Sequence, residues 1–331
     1  MRRRTWMSLA IALALLAALA TAVYLRKQAP PEVARFLPEA DGIVYFNLQP
    51  LRTLTRFDQH PVAHEPDYQK FIDATGIVFE RDLDQAAFAI HRMADSGGPN
   101  GAAAYSEVFQ GRFDGQRLTS YLEAQSAATE NYDGHEIYSI QHEERTVRVV
   151  LLGYELVAVS NAPTSEQIHS IIDRYHSAAS PFTGDTLLSR YYSKVPLLSE
   201  AWGIGSVEPS TDNGIQFHIF GLPLTLPPGA TFIGSIRYLG SVHMRLEEIA
   251  PNANIAKESV EMVNLALGLV RSSQVTIGAQ DANTADWKAF VRSMKVEQKG
   301  SRAIFQAVVP TRLVRSLLSA QNAAAPAPVI P

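Results

Sequence analysis

From Thr5 to Leu25 the chain carries no charged residue, and the run is bounded by Arg2-Arg3-Arg4 on one side and Arg26-Lys27 on the other. Its apolar core, Trp6 to Leu25, is 20 residues long, and a helix of that length extends about 30 Å, the thickness of a bilayer's hydrocarbon layer. Such a segment does not join a water-soluble core. It is a membrane span or an export signal, so the first 27 residues set the rest of the chain apart from it.

A cleaved signal has a shorter apolar region followed by small residues at the cleavage site. Ala18-Leu19-Ala20 and Ala20-Thr21-Ala22 offer such sites. The run nevertheless continues through Val23-Tyr24-Leu25 and ends on two cations, which suits an interfacial tyrosine and the end of a span. The reading is an uncleaved signal-anchor over 1–27, spanning the inner membrane through residues 6–25; secretion to the periplasm after cleavage near Ala22 is the alternative. The heavier positive charge before the run keeps the N-terminus inside and places residues 28 onward on the periplasmic side.

With 46% hydrophobic and 19% charged residues, the chain has the composition of an ordinary folded protein. Without the five basic residues flanking the run, 24 basic residues face 33 acidic ones, a balance of −9. A surface that acidic repels phosphate backbones, which excludes nucleic acid as a partner class. The absence of cysteine excludes disulfides, thiolate metal sites and a cysteine nucleophile.

Residues 28–35, with Pro30-Pro31, read as a stiff linker, and 322–331 as a Pro/Ala tail that cannot pack. Between them, strands are predicted at Ile43–Leu48, Gln85–His91, Glu107–Phe113, Glu136–Ile140, Thr146–Leu152 and Glu155–Ser160. Helices are predicted at Tyr68–Thr75, Gln116–Ala127 and Ser165–Ser177, the last with Ile168, Ile171, Ile172 and Tyr175 on one stripe. The turn cluster Glu208–Gly214 divides a first unit, 36–210, from a second, 211–321. The second holds a hairpin turning at Gly240, a long helix Asn254–Val270 capped by Asn252 or Asn254, a helix Ala285–Met294, strands Lys295–Gln298 and Ala303–Val309, and a last helix Thr311–Ala320. No regular βαβ rhythm is present, so the fold class is α+β with two mainly antiparallel sheet units and packed helices.

An internal similarity suggests a degenerate repeat. Asp67-Tyr-Gln-Lys-Phe-Ile72 matches Asp286-Trp-Lys-Ala-Phe-Val291, and Phe109-Gln110 before Arg117-Leu118 matches Phe305-Gln306 before Arg312-Leu313.

Chemistry is sparse. No GxSxG, HExxH, Walker or SxxK pattern occurs, and Gly203-Ile-Gly205 lacks the third glycine of a dinucleotide loop, so it reads as a strand glycine pair. His60, His64, Glu65 and Asp67 lie close in sequence, but flanking prolines deny them a common helical face and they read as a loop. Asp82 and Asp84 could form a carboxylate pair or face a cation; as a polar turn into a strand they carry no chemistry. His135-Glu136 and His142-Glu143 flank one strand and read as hairpin ends. Glu258 and Glu261 share a solvated helix face, and Trp202 and Trp287 read as core or interface anchors. No catalytic, cofactor-binding or metal-binding residue follows from these patterns.

Phe36-Leu-Pro-Glu-Ala-Asp-Gly-Ile-Val-Tyr45 behind an N-terminal anchor, the Ala201-Trp202-Gly203 segment, and Phe232-Ile-Gly-Ser-Ile-Arg237 before a long Ala-rich helix resemble uncharacterised exported bacterial proteins classed as domains of unknown function. The resemblance spans residues 36–320. It implies an envelope-located α+β protein and carries no catalytic residue. The functional expectation is a membrane-tethered structural or interaction protein with an envelope protein partner; a carboxylate hydrolase using Asp82, Asp84 or Glu136, and a small-molecule or lipid carrier, are the alternatives.

Overall fold

The structure is a computed structural model that describes residues 15, 29–55, 64–95, 97–98, 100–177, 186–209, 215–219, 222–273, 282–314 and 316. The expected span, Leu15 apart, and the expected tail lie outside these residues, as does His60. Among the described residues no helix is long and apolar enough to cross a membrane.

The fold is α+β, built on one large antiparallel sheet. In chain order its strands are β1 (Gly42–Asn47), β2 (Leu83–Arg92), β3 (Ala103–Gly111), β4 (Ala128–Tyr132), β5 (His135–His142), β6 (Arg145–Leu151), β7 (Leu156–Ser160), β8 (Ala201–Ser206), β11 (Thr231–Tyr238), β12 (Val242–Ile249), β13 (Lys295–Lys299) and β14 (Arg302–Val309). They lie side by side as β13-β14-β12-β11-β8-β1-β2-β3-β7-β6-β5-β4, while β9 (Ile215–Ile219) and β10 (Leu222–Leu226) form a separate two-stranded ribbon. The expected boundary near residue 210 therefore does not separate two sheets: β8, from before it, pairs with β11, from after it.

Near the middle of the twelve β1 and β8 pair, antiparallel from Gly42 opposite Gly205 to Phe46 opposite Ala201. To either side the chain winds in the same way. β1, β2 and β3 form a meander, and after a helix and three further strands the chain returns so that β7 pairs with β3. On the other side β8, β11 and β12 form the meander, and β14 returns beside β12. The similarity expected from sequence had a different register, which the topology corrects. The β2–β3 hairpin lies inside the sheet whereas β13 ends it, so Phe109 and Phe305 do not hold equivalent places. Amphipathic segments resemble one another wherever they occur, and that resemblance produced the shifted match.

Helices cover both faces. Here α1 is Glu32–Arg35, α2 Leu48–Thr55, α3 Pro66–Thr75, α4 Phe79–Asp82, α5 Gly115–Gln125, α6 Glu166–His176, α7 Leu187–Tyr191, α8 Ala253–Ser273 and α9 Ala282–Ser293. On one face Ile43, Tyr45, Ile204 and Ile233 of the sheet pack with Val33 of α1 and Ile168, Ile171 and Ile172 of α6, the helical stripe expected from sequence. On the opposite face α5 seats Leu118 and Leu122 on Tyr138, Val149 and Val157. On that same face α8 and α9 seat Leu267, Val291 and Met294 against Ala307 and Phe305. Asn252 caps α8, accepting from the amides of Asn254 and Ile255 at 3.0 and 3.1 Å.

Candidate apolar binding site

Alternation along each strand decides which residues face α5, because successive side chains point to opposite sides of a sheet. The cross-strand registers place Val157, Phe109, Ala86, Phe46, Ala201, Ile236 and Met244 in one row on that face, running from β7 to β12. None of these side chains is charged. The row begins beneath α5 and ends beside α8.

At its start lies an apolar cavity of about 200 Å³, walled by Phe71 of α3, Leu118 and Tyr121 of α5, and Phe109, Val149 and Val159 of the sheet. Each wall residue follows from local sequence. Pro66 starts α3 and Gly76, at φ 74°, ends it in the left-handed region that glycine favours, so Phe71 sits mid-helix over the sheet. Asp114 caps α5 by accepting from the Arg117 amide at 3.1 Å, which fixes where Leu118 and Tyr121 fall. Arg117 then locks the two helices together, donating to the carbonyls of Asp73 and Ala74 at 3.0 and 3.2 Å.

Between the α5 end and the α8 end of the row lie four strands. β2, β1, β8 and β11 separate β3 from β12, a gap of about 24 Å at ordinary strand spacing. Phe109, Phe88 and Phe46 step into this gap edge to face, with ring centroids 5.8 and 6.1 Å apart. The floor past them is low because Gly203 lies opposite both Val44 and Gly234. Phe46, Ile236, Met244 and Leu246 are 38, 39, 37 and 41% exposed. Grouped exposure of large apolar side chains on one face marks a surface that contacts something apolar.

One acid borders the row. Glu107 faces the same side, opposite Phe88 and Val159, and burial pushes its carboxyl above the ordinary carboxylate range.

The residues singled out from sequence fall elsewhere. Burial alone would raise Asp82, but hydrogen bonds from Arg81 at 2.8 and 2.6 Å and from the Val78 amide at 2.9 Å hold it below the usual carboxylate value. Asp84 pairs instead with Arg52 at 3.1 Å. The two aspartates thus have separate cationic partners, and the raised carboxyl that a hydrolase reading requires is not found at Asp82. Glu136 is exposed and accepts from the Tyr138 hydroxyl at 3.1 Å. His64 meets Glu80 at 3.3 Å. Gly203 and Gly205 are strand glycines of β8, Glu258 and Glu261 are solvent-exposed, and Trp202 is buried and stacks on Tyr45 with centroids 5.5 Å apart. Trp287 is half-buried against Phe290. Among the described residues no three His, Asp or Glu side chains converge as metal ligands.

No protein-family model matches the chain, and no curated protein matches it. Among solved structures it is similar to crystal form III of TP0453, at 15% identity over 88% of this chain and 99% of that one, with a TM-score of 0.48. Crystal forms IV and I of TP0453 align at 14 and 13% identity, each over 88% of this chain and over 97 and 98% of theirs, with TM-scores of 0.43.

Proposed function

We propose that this chain is a non-catalytic, membrane-tethered binding protein of the periplasmic side that holds the apolar part of a lipid-class ligand against the α5 face of its sheet. The observation that carries the reading is the wholly apolar cavity beneath α3 and α5, which opens onto a row of uncharged, partly exposed side chains. An engineered apolar cavity of about 150 Å³ in another protein stays dry and takes up benzene. The cavity here is about 200 Å³ and suits the end of an alkyl chain, with the Phe109, Phe88 and Phe46 steps continuing the contact. Burial contributes roughly 0.8 kcal/mol per methylene before the cost of association.

The two halves that wind alike about β1 and β8 are, on this reading, degenerate copies of one module, each supplying one helical wall. The anchor expected at residues 6–25 would keep the site next to the membrane that supplies the ligand.

A second reading has one specific observation in its favour. On α8, from Met262 to Val270, there is no charge, and Met262, Leu265 and Leu269 are exposed, the last two by 68 and 50%. An apolar ridge of that kind suits docking of an envelope protein partner. Organic extraction and mass spectrometry of the purified full chain separate the two. A stoichiometric lipid that is lost in Val159→Trp, while the melting curve is kept, supports the binding role. An extract with no lipid, together with crosslinks from Leu265 to one envelope protein, supports the docking role instead.

A further inference from the structure

The Asp133-Gly134 pair makes the tight turn between β4 and β5, with both residues at positive φ, 48° and 82°. The turn sets the Asp133 carboxylate beside His135, the first residue of β5. The last residue of α6, His176, reaches the same spot from the sheet's other covering helix. The two imidazoles meet with Nε2 facing Nε2 at 3.0 Å. Behind them, His135 Nδ1 lies 3.0 Å from the Leu151 carbonyl and His176 Nδ1 lies 2.5 Å from Asp133 Oδ2.

Donor bookkeeping constrains what this cluster is. A carbonyl and a carboxylate only accept, so both Nδ1 atoms carry the proton. Each neutral ring then has a bare lone pair on Nε2, and the two Nε2 atoms border the same gap. Two acceptors at that distance repel unless a cation lies between them. Moreover, histidines that bind metals hold their second nitrogen against a carboxylate or a backbone carbonyl, and both partners are present here.

We propose that His135 and His176 are the two protein ligands of a divalent transition-metal site. With metal–nitrogen bonds of about 2.05 Å, the 3.0 Å separation corresponds to an N–metal–N angle of about 94°. That is a cis pair in square-planar or octahedral geometry, which favours Cu²⁺ or Ni²⁺ over tetrahedral Zn²⁺. Water or an external ligand fills the remaining positions, since the His176 side chain is 37% and that of Asp133 61% exposed. Glu130 at His169 and Asp173 at the Tyr132 hydroxyl add negative charge nearby on the same elements. The site lies on the opposite side of the sheet from the apolar row and is independent of it.

The test is titration of the full chain in detergent with copper(II), read by calorimetry and by electron paramagnetic resonance. One ion per chain is expected, with hyperfine structure from two equivalent imidazole nitrogens. His135→Ala and His176→Ala should each weaken binding at least tenfold, and Asp133→Asn about tenfold, with melting curves kept in circular dichroism. No saturable binding, a single-nitrogen signature, or affinity unchanged in the double His135→Ala/His176→Ala variant would overturn the site and leave a proton as the shared cation.

Discussion

Phe71 of α3 and Tyr121 of α5 meet edge to face, with centroids 5.5 Å apart and an interplanar angle of 85°, and together they close one side of the apolar cavity. Phe71 is only half-buried, so Phe71→Ala should cost about 2–3 kcal/mol, below the usual loss for a fully buried aromatic. Phe290→Ala, half-buried on α9 beside Trp287, should cost a similar amount. Urea unfolding of both variants measures it; a loss under about 0.5 kcal/mol would show that neither ring supports its helix.

A second expectation concerns the trough floor. A Cβ added at Gly234 would meet only Leu246 Cδ1, at 3.9 Å, an ordinary van der Waals contact, so Gly234→Leu should fold with little change in melting temperature. The new side chain occupies the space above β8 and β11, and binding of an alkyl probe should fall at least tenfold. Unchanged affinity would place the ligand elsewhere.

Glu107 gives a pH dependence. Its folded-state carboxyl is raised above the ordinary value of 4.5 by burial, so the folded protein holds this proton more tightly than the unfolded chain does. Stability contributed here is present below that value and is lost as pH rises through the folded-state range. Glu107→Gln should therefore melt higher than wild type at pH 7, and the difference should vanish near pH 4. Equal melting temperatures at both pH values would contradict the assignment.

On the α6 face the carboxylate of Glu247 is almost fully buried, between Arg245 at 2.6 Å and Arg302 at 3.1 Å. Removing one partner of a buried ion pair leaves uncompensated charge, so Glu247→Ala should destabilise by about 3–5 kcal/mol. Arg302 is far more exposed, and Arg302→Ala should cost less than half as much by the same unfolding measurement.

Much of the fold was legible where periodicity was strong. The stripe of α6, the hairpin turning at Gly240, and the Asn252 cap appear in the structure within a residue or two of expectation. β4 was missed because Ala128–Tyr132 is a polar, mostly exposed edge strand with no alternation to read. β8 was missed as a strand span because its two glycines lower strand propensity. Without β8 there was no way to see that one sheet crosses residue 210. The apolar row was illegible for a different reason: its members come from strands spread between Phe46 and Met244, and only the register aligns them. His135 drew notice for its neighbour Glu136, whereas its actual partner, His176, lies 41 residues away on a helix.

The central claim is that an alkyl chain occupies the cavity and the row leading from it. Photo-crosslinking of the full chain with a diazirine-bearing fatty acid, followed by peptide mapping, tests it most directly. The account predicts saturable adducts on Phe71, Phe109, Tyr121 and Phe46, competed away by excess unlabelled fatty acid and lost in Val159→Trp. Adducts confined to residues 6–25, or labelling that neither saturates nor responds to Val159→Trp, would contradict it.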